Sequence, residues 1–137
     1  MDATPEVGGA RTVEQAEGRH WGDPPADATP MVKTVYELRR KPIAAMDTED
    51  LRMLLSQQEG VDVLVPVALT LLERDPLAEG DFYAGDLLTA VLRIPRYYWR
   101  QHSDQLRRVS SVLEKLNDLD EHDSLRQQIE VFRAEAS

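Results

Sequence analysis

Leu77-Ala78-Glu79-Gly80-Asp81-Phe82-Tyr83-Ala84-Gly85-Asp86-Leu87-Leu88-Thr89-Ala90-Val91-Leu92 is a turn rich in acidic and aromatic groups that runs straight into an apolar helix. Gly80 and Gly85 permit backbone angles that other residues resist, so the segment between them can fold back tightly. Asp86 stands just before the apolar run, where an N-cap or first-turn carboxylate meets the free N–H groups of a helix start. Leu87, Leu88, Val91 and Leu92 step by one, three and one, which predicts a single buried stripe. Phe82 and Tyr83 lie in the turn itself, where each ring must pack back on the core or face a partner. Phe82 is read as a ring that holds the turn; for Tyr83 both roles stay open.

Outward from this stretch the pattern is helical throughout. Thr29-Pro30 reads as an N-cap and first-turn proline opening a helix with Met31, Val32, Val35, Tyr36 and Leu38. That helix ends at Arg39-Arg40-Lys41-Pro42, where the proline stops it. Asp47 or Thr48 caps the next, with Leu51, Leu54 and Leu55 on its buried face and Gly60 closing it. A third begins near Asp62 and is apolar over most of its circumference, as expected of a central helix; Pro66 fits only if it lies in the first turn. Pro95 starts a short helix through Arg96-Tyr97-Tyr98-Trp99-Arg100, with Trp99 and one tyrosine read as core. Ser103 caps a helix carrying Leu106, Val109, Val112, Leu113 and Leu116, which Asn117 and Asp118 break. A last helix, about Glu121 to Ala134, carries Leu125, Ile129 and Phe132. No stretch alternates long enough to predict a strand. The expected fold is all-α, an irregular bundle of five to seven short helices.

Residues 1–20 hold Gly8, Gly9 and Gly18 and few large apolar groups, so they are expected to be a disordered tail. Trp21 then precedes Pro24-Pro25 and is placed to dock an extended path on the domain. Residues 21–116 form the expected domain and 117–137 a helical extension.

The length of 137 residues suits one domain, and the absence of cysteine removes disulfides and thiolate zinc sites. The opening Met-Asp-Ala-Thr-Pro-Glu has neither a basic nor an apolar signal region, and no apolar run is long enough to span a bilayer, so a cytoplasmic protein with no membrane partner is expected. The net charge is −9, a poor match to nucleic acid and a better one to a basic protein. That charge is concentrated: residues 47–92 carry ten acids and two bases, whereas residues 93–108 carry five bases and one acid. Part of the acidic block is therefore a candidate binding surface, with Glu59, Asp62, Glu79, Asp81, Tyr83 and Asp86 as its candidate partner-binding residues.

Catalytic chemistry finds no foothold. His20, His102 and His122 lack metal-ligand spacing, and the motifs of nucleotide loops and nucleophile elbows are absent. His122 beside Asp118 or Asp123 reads as an exposed neighbour pair. Asp81 and Asp86 would make paired carboxylates for acid–base work, but a turn former and a cap account for them. No catalytic residue, metal or cofactor is expected.

Leu38-Arg39-Arg40-Lys41-Pro42, Asp50-Leu51-Arg52, Gln57 to Gly60 and above all Gly80-Asp81-Phe82-Tyr83-Ala84-Gly85-Asp86-Leu87-Leu88 resemble the immunity proteins of contact-dependent growth inhibition (CDI) systems. The resemblance runs from about Trp21 to Leu116; Ala84 stands where proline is expected in many relatives. It implies a cytoplasmic antitoxin, a monomer when free, that binds and blocks the toxic C-terminal domain of a cognate partner. Such toxins are commonly nucleases with basic substrate grooves, which an acidic protein would suit. A helical adaptor for some other basic protein surface is the alternative. Contacts that discriminate among related toxins are expected to vary with the pair, so the motif guides fold better than site.

Overall fold

The computed structural model describes residues 11–116 and 123–136. The expectations for residues 1–10, for the break at Asn117 and Asp118 and for His122 lie outside the described residues. Eight α-helices make up the described chain: α1 (Val13–Glu17), α2 (Pro30–Arg39), α3 (Thr48–Ser56), α4 (Val61–Arg74), α5 (Asp86–Leu92), α6 (Arg96–Gln101), α7 (Ser103–Glu114) and α8 (Ser124–Ala136). A 3-10 turn, Ile43–Ala45, joins α2 to α3. The fold is all-α; its extended pairing among the described residues is an isolated bridge between Glu79 and Ala84.

Residues 11–20 depart from the expected tail. Thr12 and Gln15 close a capping box at the start of α1, Gly18 ends it at φ 69°, and Val13 is fully buried. One apolar side chain with two good caps holds this short helix on the domain. The Ile43 N–H also donates to the Arg11 carbonyl at 2.8 Å. Trp21 packs edge-on against Tyr36 at 4.9 Å, docking the proline segment as its sequence implied.

Thr29 caps α2 through the Val32 N–H, and Asp47 caps α3 in a reciprocal box with Asp50. On α2 the buried positions are Val35, Leu38 and Arg39, while Met31 and Val32 face outward. At the end of α3 the Glu59 N–H reaches the Leu54 carbonyl and the Gln58 N–H the Leu55 carbonyl, both at 2.9 Å. This Schellman ending puts Gln58, not Gly60, at its left-handed position, with φ 57°. Gly60, at φ 66°, instead precedes α4. Pro66 lies inside α4 beyond its first turn, contrary to the sequence expectation. Having no N–H, it leaves one carbonyl of the first turn without its helical partner.

The centre of the bundle is α5 rather than α4. All seven residues of α5 are buried, whereas α4 shows Asp62 and Thr70 to solvent. The four-residue stripe expected there is thus a helix enclosed on every side, packed by α3, α4 and α8. Thr89 satisfies its own hydroxyl on the Gly85 carbonyl at 3.1 Å, so no polar group is stranded in the middle. Trp99 and Tyr98 are core, and the Trp99 indole donates to the Ile94 carbonyl at 3.2 Å. Ser103 opens α7 without capping it; His102 holds the α6–α7 corner by donating from Nδ1 to the Tyr98 carbonyl at 2.7 Å. Helix α8 begins three residues later than expected and belongs to the same core: Leu125, Ile129 and Phe132 are buried, with Phe132 edge-on to Trp99 at 5.8 Å.

Candidate functional site

The turn between α4 and α5 is organised by two carboxylates beneath it. Asp86 is only 4% exposed, and its oxygens accept the N–H groups of Gly80 at 2.7 Å, Phe82 at 3.0 Å and Tyr83 at 3.4 Å. Glu49, from α3, accepts the Asp81 N–H at 2.9 Å. Four consecutive backbone donors therefore point inward at fixed charges, and the loop has one shape. Asp86 stands at the first position of its helix, but its carboxylate serves the loop rather than the helix end.

Arg52 offsets part of this buried charge. It donates from Nε and Nη2 to the two oxygens of Glu49 at 2.7 and 2.6 Å, and Nε lies 4.0 Å from Asp86 Oδ2. The bidentate pair holds the Glu49 carboxyl below the usual carboxylate range and raises the Arg52 guanidinium above its own. Gly80 is required here for space: a Cβ would lie 2.5 Å from Glu49 Oε1 and 3.1 Å from Asp86 Oδ2. At Gly85, φ is 91°, and a Cβ would meet Leu125 of α8 at 2.9 Å.

What this frame presents outward is acidic and aromatic. Phe82 is 67% exposed and Tyr83 45%, so Phe82 is not core as its role in holding the turn suggested. The Arg52 guanidinium lies 4.4 Å from the Phe82 ring centroid, so one ring face is covered by a cation. Glu79 and Asp81 are exposed and make no ion pair among the described residues.

Glu59 and Asp62 are not part of this surface. Glu49 and Arg52 meet the N-terminal end of α5, while the Gln58–Gly60 corner shares a cleft with Ile94 and Pro95 beyond its C-terminal end. The two groups are separated by roughly the length of α3, about 13 Å at 1.5 Å per residue. That cleft encloses about 480 Å³ and is bordered by Trp21, Arg39, Glu59, Asp62 and Tyr97. Arg39, 1% exposed, pairs with Glu17 at 2.8 Å and Glu59 at 3.5 Å and stacks on Trp21 at 4.0 Å. Burial pushes the Glu59 carboxyl up, against the pull of Arg39. Glu59 is thus committed to an internal pair, while Asp62 is exposed with no ion pair among the described residues. Of the six candidates the turn brings together Glu79, Asp81, Tyr83 and Asp86, and it buries the last. Sequence reasoning missed Glu49 and Arg52, whose only local signal is an acid and a base three residues apart on a helix.

A profile of CDI immunity proteins matches residues 15–109, from within α1 to the middle of α7. The chain belongs to the CDI immunity proteins. It is accordingly an immunity protein for a CDI toxin. No curated protein and no solved structure matches the chain. The match starts inside α1, within the glycine-rich segment that composition alone assigns to a tail. It ends before α8, so the immunity protein carries a core helix beyond the matched segment. Among the described residues no helix is long and apolar enough to cross a membrane.

Proposed function

We propose that this immunity protein neutralises a cognate CDI toxin domain by covering its active site, and that the toxin is a nuclease whose groove is basic. The complex forms one-to-one in the cytoplasm from a free monomer, with Glu79, Asp81 and Tyr83 among the contacts and Asp86 acting from below. One observation carries this reading: a loop fixed by four inward backbone hydrogen bonds that leaves Glu79 and Asp81 unpaired at the surface. A preformed loop loses little conformational freedom on binding, which keeps more of the contact energy as affinity. Its charge speeds encounter with a basic groove and disfavours wrong partners. Asp62, at the far end of α3, fits a second contact on the same toxin, since an interface of ordinary size spans more than the intervening distance.

Co-expression with the toxic C-terminal domain encoded beside the gene tests the role, scored by survival and co-purification. Association rates of the Glu79→Gln/Asp81→Asn variant, measured across salt concentrations, test the charge argument. Slower association with a flatter salt dependence is the expected result. Cell death despite well-folded protein would favour an adaptor for another basic surface, and an unchanged rate would remove this loop from the interface.

A further inference from the structure

The covered face of Phe82 says what kind of surface its exposed side meets. An aromatic ring attracts cations through the negative potential of its faces. On Phe82 that attraction is already used, because the Arg52 guanidinium sits over one face at 4.4 Å. Its positive charge makes the potential at the opposite face less negative, so a lysine or arginine of the toxin gains little by approaching there. What remains outward is apolar area: Phe82 is 67% exposed and, unlike the exposed Tyr83 and Tyr97, has no hydroxyl to offer water. Carboxylates of Glu79 and Asp81 flank it on the same turn, and neither has an ion-pair partner among the described residues.

Resting on the loop being a toxin contact, we propose that Phe82 is the anchor of the interface and enters an apolar pocket rimmed by basic side chains on the toxin, with Arg52 as its positioning residue. Arg52 is itself held by two hydrogen bonds to Glu49, and Glu49 also holds the backbone of Asp81, next to Phe82. Ring, cation and backbone therefore share one fixed geometry before the toxin arrives. A large ring placed in a pocket, with charged groups left at the rim, is the arrangement in which a few residues carry most of the binding energy.

The test uses purified full-length protein and the neighbouring toxin domain carrying an inactivating substitution, with dissociation constants read for a substitution series. Phe82→Ala is expected to weaken binding by ~30-fold or more, as truncation of an anchor does. Phe82→Leu, which keeps the apolar bulk without the ring, is expected to stay within about 5-fold of wild type. Equal losses for Leu and Ala would overturn the apolar pocket and point to a cation of the toxin on the ring. Arg52→Met is expected to weaken binding by ~10-fold in the wild-type background and by clearly less beside Phe82→Ala, a coupling that general loosening of the fold does not produce. The same loss in both backgrounds would overturn the positioning role, and folding of each variant is followed by its urea midpoint. If Phe82→Ala binds as wild type, Phe82 is not the anchor, and the association rate of Glu79→Gln/Asp81→Asn then decides separately whether the loop is a contact.

Discussion

Replacing Asp86 by alanine isolates the group on which the turn is built. The substitution removes an acceptor for three backbone N–H groups, two of them at 2.7 and 3.0 Å and one at 3.4 Å. A hydrogen bond to a charged group contributes about 1.5–3 kcal/mol. The freed N–H groups lie near the surface and regain water as the loop opens, so the lower figure applies to the two short bonds and little to the third. The expected loss is about 3 kcal/mol, which for a chain of this size lowers the melting temperature by about 10 °C. Asp86→Asn keeps the volume but offers one oxygen to donors on both sides and adds donors of its own, so it should recover less than half. Asp81→Ala is the control, because the side chain of Asp81 is exposed and makes no hydrogen bond to the loop, and its attraction to Arg52 acts only at a distance. Urea denaturation reads the outcome as a shift in midpoint at unchanged slope. If Asp86→Ala and Asp81→Ala fall within 1 kcal/mol of each other, the buried carboxylate does not organise the loop.

Three further perturbations probe the frame. Gln58→Gly should stabilise the protein by about 0.5–1 kcal/mol, because the left-handed position at the end of α3 carries a side chain it disfavours; a lowered urea midpoint would contradict this. Acid should destabilise the fold through Glu49 and Glu73, whose carboxyls Arg52 and Arg108 hold below the usual range. Such groups stabilise fully above the unfolded carboxylate value of about 4.3 and lose that contribution as pH falls through their folded values. Glu59, pushed up by burial, acts with the opposite sign, since its cost disappears on acidification. Glu49→Gln should therefore flatten the acid limb of the stability profile, and a limb as steep as that of wild type would discount the pair. Phe132→Ala, in the face that α8 lays on Trp99, should cost about 3–4 kcal/mol, against less than 0.5 kcal/mol for Val131→Ala on the exposed face; equal losses in thermal melts would show that α8 is only loosely attached.

What the sequence disclosed is local chemistry. Thr29-Pro30 and Asp47 marked helix starts that the structure places within a residue, and Leu51, Leu54 and Leu55 lie buried as their spacing required. Composition misled where one side chain sufficed. Val13 is the single buried residue of α1, so a glycine-rich neighbourhood hid a short, well-capped helix. Periodicity also failed to separate a helix buried on one face from one enclosed on all sides, because α5 has seven residues and too few turns to display a polar face. The motif located the site's backbone and two of its acids. It did not reveal that Glu49 reaches the Asp81 N–H across 32 positions of sequence, and no local pattern carries that information.

The acidic block also divides into parts with different consequences. Asp47 caps α3, Asp50 pairs with Lys41, Glu73 with Arg108 and Glu59 with Arg39, while Glu49 and Asp86 are spent on the loop and Arg52. Asp50 and Glu73 are balanced one-to-one at short range and add little to the field felt by an approaching partner, whereas Glu49 and Asp86 share the one charge of Arg52 and Asp47 meets only backbone N–H groups. Asp62, Asp75, Glu79 and Asp81 remain outward without an ion pair among the described residues, so long-range attraction should trace mainly to them rather than to the whole block. The loop's shape is set by Gly80, Gly85, Asp86, Glu49 and Arg52, none of which needs to change when residues 79 and 81–84 do. A scaffold that fixes backbone geometry from beneath leaves the outward side chains free to vary with the toxin at little cost in stability. If the proposed contact is right, that separation gives an immunity protein a route to new partners on an unchanged fold, and substitutions at residues 79 and 81–84 should change toxin preference while leaving the urea midpoint near that of wild type.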